Sequence, residues 1–342
     1  MLQGTDPSPF HLSDDWFAAW YAAFGPAAGT ARRVGGLPLV EDRGRIGPLG
    51  YRRLRAATNV HSTRFDVPVG TEPPSGDALA ASLLADRRTD VVQFDYLPDD
   101  SQLLALARGW TAERTRIVPH AIVPVADCRT PYARWLAARS KRLRLRLKRG
   151  AQALFDEHGM SFAVLDGRED LDALLDEILK VEQSGWKGRE QTAILDHPDE
   201  ALFYRALAAA AAAAGALRIA VLRAGNRITA FEYGILGGGR LFLLKVGYDE
   251  GFAEQSIGYV LAARHIQHCC EDPAVDWYDK LGNGMTPSPY KLRFADGLET
   301  LYRVTLYGRS WRGRAAQLHD ALRGHAKRWR DSRRQRAAEA AA

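Results

Sequence analysis

The chain has 342 residues with a net charge of +6, and 46% of its residues are hydrophobic and 26% charged. This composition excludes a disordered or fibrous protein, and the length favours two domains of about 150 residues each over one small core. No apolar run approaches the roughly 20 residues of a membrane-spanning helix, and the N-terminus lacks the basic and apolar regions of a secretory signal.

The three cysteines are Cys128, Cys269 and Cys270. They offer neither a disulfide framework nor the spacing of a zinc site. We therefore expect a protein of the reducing cytoplasm that binds no metal.

The basic residues are concentrated in two segments. Seven Lys or Arg lie in Arg139–Arg149, and residues 309–336 hold ten Lys or Arg against two acids. Such clusters favour an anionic partner, namely a nucleotide, a nucleic acid or an acidic lipid surface. In both segments a helix with a solvated basic face is the simpler interpretation.

In chain order, the first half mixes helices and strands. Ser13 is a good N-cap for a helix over "DDWFAAWYAAF", and helices are also predicted over "SGDALAASLLAD" and, from Asp100 or Ser101, "SQLLALARGW". Strands and turns are predicted over "LPLV", "YRRLRAATNV" and "RFDVPV", and a strand over "VVQFDYL". Pro119 and Pro124 restrict the strand "RIVPHAIVPV" to a sheet edge or a bulge.

A long basic helix is predicted between Thr130 and Gly159, at the junction between the halves. The second half then has the order strand, two helices, three strands, helix and two strands. The turns "AGN" and "GGG" between its three consecutive strands favour antiparallel hairpins, and this indicates an α+β fold.

Several pieces of the second half resemble the GNAT acyltransferases. They are "EQSGWKG", "LRIAVLRAGNRITAFEYGI", "LLKVGYDEGFAEQSIGYVL", "WYDKLGNG" and "PYKLRFADG". More narrowly, they resemble the CelD-type acetyltransferase domain, which is similar to the Fem-type peptidyl transferases. The resemblance covers roughly Tyr132 to Tyr307.

The resemblance implies two GNAT-like domains in tandem, each with a mixed, mostly antiparallel sheet flanked by helices. Residues 1–130 would form a degenerate N-terminal copy and residues 131–159 a connecting basic helix. Residues 160–308 would form the acyltransferase domain, and residues 309–342 a basic helical tail.

The stretch "LFLLKVGYDEGFAEQSIGYVLAARHIQ" is the candidate cofactor site. It places a buried strand, a glycine-bearing loop and a helix start in succession, an order that can hold phosphate on backbone N–H groups. The resemblance implies a Q/R-x-x-G-x-G/A loop for the pyrophosphate of acetyl-CoA, which Gln255 and Gly258 match and Val260 does not. The candidate cofactor-binding residues are Lys245, Val246, Gln255, Ser256, Ile257, Gly258 and Tyr259. An ordinary strand-to-helix connection is the alternative.

Transfer of an acyl group to an amine requires a base, oxyanion donors and an acid for the departing thiolate. Glu232 lies in the apolar strand "ITAFEYGI" and is the candidate base, with a solvent-facing glutamate as the alternative. Tyr248 is the candidate acid, with simple packing as the alternative. Asp249 is a third catalytic candidate, or the cap of a turn in "YDEG".

The candidate substrate-binding residues are Trp186, Lys187, Asp279 and Lys291. By resemblance, Trp186 would wall the acceptor pocket and Lys187 would contact an anionic acceptor, with core packing at a helix end as the alternative. Asp279 and Lys291 would line the acceptor site or pair across neighbouring strands.

The sequence thus predicts an acyl-CoA-dependent N-acyltransferase, in which acetyl-CoA donates directly to an amine of a small or carbohydrate-type acceptor in a ternary complex. No His and acid pattern accompanies Cys269 or Cys270, so we expect no covalent enzyme intermediate. One alternative is a Fem-type transferase that uses aminoacyl-tRNA. Another is a non-catalytic GNAT-like scaffold in polysaccharide biosynthesis, since Val260 departs from the loop motif.

Overall fold

The computed structural model describes residues 8–324, except for the side chains of Trp186 and Lys187. Its helices, in chain order, are α1 (Asp14–Ala28), α2 (Gly76–Leu83), α3 (Gln102–Arg108), α4 (Tyr132–Ala137), α5 (Lys141–Ala151), α6 (Leu171–Ser184), α7 (Trp186–Arg189), α8 (Pro198–Ala213), α9 (Ile257–Glu271) and α10 (Pro289–Leu292). A further helix, α11, is described over residues 311–324. Within the described residues, no helix is both long and apolar enough to cross a bilayer.

The strands are β1 (Thr30–Val34), β2 (Leu37–Ile46), β3 (Leu49–Ala56), β4 (Val91–Leu97), β5 (Thr115–Asp127), β6 (Met160–Leu165), β7 (Leu217–Ala224), β8 (Arg227–Gly237), β9 (Arg240–Tyr248), β10 (Trp277–Asp279) and β11 (Gly297–Tyr307). They form one sheet in the order β1-β2-β3-β4-β11-β5-β10-β9-β8-β7-β6.

Both halves of the chain build their part of this sheet in the same way. In the first half β1–β3 pair antiparallel, and α2 then leads to β4, which is parallel to β3. In the second half β6–β9 pair antiparallel, and α9 then leads to β10, which is parallel to β9. The predicted α+β fold, with two mixed and mostly antiparallel halves flanked by helices, is therefore confirmed.

The two halves exchange their last strands at the centre of the sheet. The strand β11, from the end of the second half, pairs antiparallel with β4 and β5 of the first half. In turn β5 pairs antiparallel with β10 of the second half. The backbone hydrogen bonds of each half are thus completed by a strand of the other half.

The strand with two prolines is central in the sheet, and of the two predicted alternatives, an edge position or a bulge, the bulge is present. The ladder between β5 and β11 shifts register next to Pro119, between the pairs Ala121–Leu301 and Pro119–Tyr302. Pro124 lies just outside the ladder with β10, which ends at Val125. A central strand accommodates prolines where it does not need their missing N–H groups.

The predicted long basic helix is interrupted. It is divided into α4 and α5 because Ser140 caps α5, its hydroxyl accepting a hydrogen bond from the N–H of Leu143 at 3.3 Å. After α5, residues Gln152–Glu157 form a turn of π-helix. The predicted caps Ser13 and Ser101 are confirmed, since their hydroxyls accept from Trp16 and Leu104.

Candidate functional site

A cavity of about 580 Å³ opens where β9 and β10 separate. Their ladder ends at the pair Phe242–Asp279, although β9 continues to Tyr248. The start of α9 and Tyr290 of α10 close the cavity on the other sides. Seven predicted site residues line it: Glu232, Val246, Tyr248, Ser256, Ile257, Gly258 and Tyr259.

The start of α9 presents backbone donors to this cavity. Ser256 adopts the left-handed conformation with φ of 59°, and its carbonyl accepts from the N–H groups of Tyr259 and Val260 at 2.9 and 3.1 Å. Among the described residues, none accepts a hydrogen bond from the N–H of Ile257 or Gly258. Two unpaired amides at the positive end of a helix dipole suit a phosphate group.

Gly258 leaves room beside these amides. A Cβ atom at this position would lie 3.5 Å from the ring of Tyr248, which is ordinary contact. Val260, where the loop motif differs, is 2% exposed and its N–H is bonded to Ser256. The departure from the motif therefore falls inside the helix packing and leaves the amides accessible, which removes the main basis for the scaffold alternative.

The cavity continues into a groove along α5. The groove is lined by Arg142, Arg146, Arg149, Gln255 and Ser256, among other residues. The three arginines are spaced four and three residues apart, so they share one helix face. Within residues 8–324 no carboxylate forms an ion pair with any of them, and the Arg146 guanidinium lies 4.6 Å from the centre of the Tyr259 ring.

Gln255 lies in this groove and not in the cavity itself. Its side-chain oxygen is buried and has no partner among the described residues. Its carbonyl oxygen packs so closely on Gly150 that a Cβ there would lie only 2.5 Å away. Gly150 is thus required for the contact between α5 and the loop.

At the cavity floor, Glu232 is 2% exposed, which rules out the solvent-facing alternative. One of its oxygens, Oε2, accepts from the Tyr278 hydroxyl at 2.5 Å and from His265 Nδ1 at 2.9 Å. The other, Oε1, lies 3.9 Å from Lys280 Nζ. Burial by itself would raise the pKa of Glu232, but the charge of Lys280 and the bonds from His265 and Tyr278 hold that pKa below its usual value. The carboxylate is therefore ionised at neutral pH.

Lys280 is enclosed by aromatic rings. Its Nζ lies 4.9, 5.3 and 4.7 Å from the ring centres of Tyr278, Tyr290 and Phe294, and 3.5 Å from the Tyr278 hydroxyl. Burial lowers the pKa of Lys280 to about 8, against the opposing effect of Glu232. An amine with such a pKa can hold or release a proton near neutral pH.

The other two catalytic candidates lie in different surroundings. Tyr248 lines the cavity, with its ring beside Gly258. Asp249 does not line it: its carboxylate accepts from the N–H of Gly251 at 2.9 Å, and this bond together with Arg227 at 2.7 Å lowers the pKa of Asp249. Asp249 thus occupies the turn-capping position that its sequence context also predicted.

Lys245 is directed away from the cavity. Its Nζ forms an ion pair with Glu200 at 3.0 Å and lies 5.2 Å from the ring centre of Tyr204. Because neighbouring residues of a strand face opposite sides, Val246 reaches the cavity and Lys245 does not.

Asp279 and Lys291 do not pair with each other directly. Asp279 is fully buried and binds Arg64 of the first half at 2.8 Å and Arg240 at 3.4 Å. Lys291 donates to the carbonyl of Leu281 at 3.0 Å, and burial lowers its pKa. Trp186 and Lys187 have backbones in α7, but their side chains lie outside the described residues.

Four residues of the site are not predicted from the sequence, namely Tyr278, Lys280, His265 and Arg146. A signal for two of them was present, since strand alternation in "WYDKLG" places Tyr278 and Lys280 on one face and Asp279 on the other. Likewise His265 lies seven residues after Gly258, two turns further along α9. Among the described residues, no cluster of three or more His, Cys, Asp or Glu could hold a metal ion.

A family model matches the part of the chain that lines the cavity. The family model described as an acetyltransferase (GNAT) domain matches residues 141–292. A comparison with curated protein sequences gives no match.

Several solved structures share the fold at low sequence identity. FemX has a TM-score of 0.55 at 10% identity, covering 84% of this chain and 94% of its own. L-PGS from Bacillus licheniformis has a TM-score of 0.52 at 14% identity, covering 90% and 95%. The C-terminal domain of a candidate lysylphosphatidylglycerol synthetase from Agrobacterium fabrum has a TM-score of 0.54 at 17% identity, covering 89% of this chain and 90% of its own.

The matched residues 141–292 contain α5, the strands β6–β10 and α9, and so the basic groove, the loop amides and Glu232. Residues 141–292 therefore match an acetyltransferase (GNAT) domain, and the chain is a transferase.

Proposed function

We propose that this acyltransferase uses an acyl-CoA, specifically acetyl-CoA, and transfers the acyl group to an amine. The observation that carries the proposal is a single cavity that has the free amides of α9 at one end and the ionised Glu232 at its floor. Its volume of about 580 Å³ is in the range of small-molecule sites. The pyrophosphate would bind the N–H groups of Ile257 and Gly258.

In this proposal each residue of the cavity has one task. Glu232 attracts and orients the acceptor as an ammonium ion, because a buried ionised carboxylate favours a cation beside it. The released proton passes to Glu232 and through the Tyr278 hydroxyl to Lys280 in those molecules in which its amine, with a pKa of about 8, is deprotonated. Tyr248 donates a proton to the departing thiolate. Asp249 and Lys245 take no part, since both are engaged elsewhere.

The acceptor is proposed to be a small or carbohydrate-type amine of the cytoplasm. The three cysteines are free thiols, which suits a reducing compartment. An acceptor that also carries negative charge would gain from the three arginines of the groove.

The decisive experiment is calorimetric titration of the full-length protein with acetyl-CoA. We expect the parent to bind, Gly258→Ala to bind almost equally, and Gly258→Glu not to bind, because its carboxylate would occupy the phosphate position. Gly50→Glu is the matched control, since a Cβ there meets nothing within 4 Å and the site is in the other half. Failure of a folded parent to bind acetyl-CoA would refute the proposal, as would binding by Gly258→Glu.

A second candidate is transfer of an aminoacyl group from tRNA. It is favoured by the unpaired arginines Arg142, Arg146 and Arg149, which extend the cavity by a basic strip of about 10 Å along α5. A tRNA bound there would lose affinity steeply with salt. Anisotropy with labelled tRNA tests this: competition with acetyl-CoA and loss of binding in Arg142→Glu/Arg149→Glu would favour tRNA, and salt-independent binding would exclude it.

A further inference from the structure

The helix α11, outside the acyltransferase family match, has one face held firmly against the sheet. Ala316 is 3% exposed and packs with Val91 and Tyr307. The Tyr307 hydroxyl donates to the Asp320 carboxylate at 2.8 Å, and Arg116 donates to the Asp320 carbonyl at 2.7 Å. These contacts fix which face of α11 is turned away from the protein.

The outward face carries an exposed apolar stripe. Trp311, Leu318 and Leu322 are 64%, 62% and 60% exposed. Their spacings of seven and four residues place them on one side of the helix. Exposed large apolar side chains in a row indicate an interaction surface more strongly than scattered ones do.

Arginines flank this stripe on both sides. Arg312, Arg314 and Arg323 are exposed, and no ion pair with a described carboxylate involves them. The chain that follows, residues 325–342, contains six Lys or Arg against two acids and a further tryptophan. The basic character of α11 therefore continues along the chain.

We propose that α11 binds the surface of an anionic lipid bilayer. The stripe of Trp311, Leu318 and Leu322 would enter the boundary between headgroups and acyl chains, while the arginines contact lipid phosphates. An apolar stripe together with a basic flank provides the two signals that stable attachment to a membrane surface requires.

Two other partners fit the same surface less well. A second copy of the chain, packed stripe to stripe about a twofold axis, would bring the flanking arginines of one copy against those of the other. A nucleic acid would satisfy the arginines but would leave the leucines exposed. Only an anionic bilayer matches both the apolar and the basic part.

The test is co-sedimentation of the full-length protein with vesicles of phosphatidylcholine alone and of phosphatidylcholine mixed with phosphatidylglycerol. We expect binding to the mixed vesicles only, weakened by salt. Leu318→Ser/Leu322→Ser should reduce the partition coefficient at least about tenfold, because it removes the buried apolar contact. Val60→Ser/Leu298→Ser is the matched control, since those residues are 60% and 56% exposed elsewhere and should leave binding unchanged.

Arg312→Glu/Arg314→Glu should abolish binding to the mixed vesicles. Circular dichroism melts confirm that each variant is folded. The proposal is overturned if the parent ignores mixed vesicles or if the leucine variant binds as the parent does. It is also overturned if light scattering shows that the parent is a dimer and that, among the variants, only the leucine variant is a monomer. Because neither assay uses acyl-CoA, a failure here is distinct from a failure of the proposed activity.

Discussion

The buried Lys280 gives a prediction about stability with a definite sign. In the unfolded chain its amine has a pKa of 10.5, whereas burial in the folded protein lowers that pKa to about 8. Between these values the unfolded state holds more protons, so the free energy of unfolding rises with pH. Below pH 8 the burial of the charged amine lowers the free energy of unfolding by its full amount, and above pH 10.5 it no longer lowers it. A difference of two and a half pKa units corresponds to about 3 kcal/mol.

Lys280→Met removes this titration, and the parent and variant share their other ionisable groups. We therefore expect the unfolding free energy of the parent, minus that of the variant, to rise by about 3 kcal/mol between about pH 7 and pH 10.5. Urea denaturation at a series of pH values measures it, with Lys148→Met, at an exposed lysine of α5, as the matched control. A flat or falling difference for Lys280→Met would mean that Glu232 keeps the amine charged, and the proposed role of Lys280 as proton acceptor would then fail.

Three further predictions concern the cavity and the contact between the halves. Glu232→Gln should lower kcat by about 100-fold or more while leaving the Kd for acetyl-CoA nearly unchanged, because the amide has the shape but not the charge of the carboxylate. If steady-state assays gave the same kcat for the variant and the parent, the proposed role of Glu232 would be contradicted. Gly150→Ala should weaken acetyl-CoA binding in calorimetry far more than Gly258→Ala. The Cβ added at residue 150 would lie only 2.5 Å from the Gln255 carbonyl oxygen, whereas the Cβ added at residue 258 would lie 3.5 Å from the Tyr248 ring. The opposite order would show that the contact between α5 and the loop does not shape the site. Arg64→Met should lower the free energy of unfolding, measured by urea denaturation, by about 3 kcal/mol, because the buried Asp279 keeps only the weaker ion pair with Arg240. The control Arg303→Met removes a half-exposed ion pair with Asp95 and should lower it by less than about 1 kcal/mol. Similar losses in the two variants would mean that Arg240 alone compensates the charge of Asp279.

Much of the secondary structure of the second half could be predicted, because the sequence patterns that indicate it lie within short segments of the chain. The turns between β7, β8 and β9 have short glycine-bearing sequences, and such turns join antiparallel strands. The loop before α9 combines a strand, glycines and a helix start within one short segment. In the structure this segment lines the cavity with Ser256, Ile257, Gly258 and Tyr259.

The side-chain directions were harder to predict. The sequence predicts that both Lys245 and Val246 bind the cofactor, yet neighbouring residues of a strand cannot face the same side unless a bulge intervenes. The register shift between β8 and β9 lies at Tyr233 and Gly234, opposite Lys245 and Leu243, and no local sequence pattern indicates it. Partners such as His265 and Lys280 come from separate elements, so their meeting with Glu232 depends on tertiary packing.

The exchange of β5 and β11 has a consequence for how the chain is made. Gly297 pairs with Val125, a separation of 172 residues, so the central ladder closes only after β11 has left the ribosome. Until then, β4 and β5 expose edges that chaperones or other nascent chains can bind. Dividing the gene near residue 130 should accordingly give two fragments that are each insoluble when expressed alone and that recover a native sheet when expressed together.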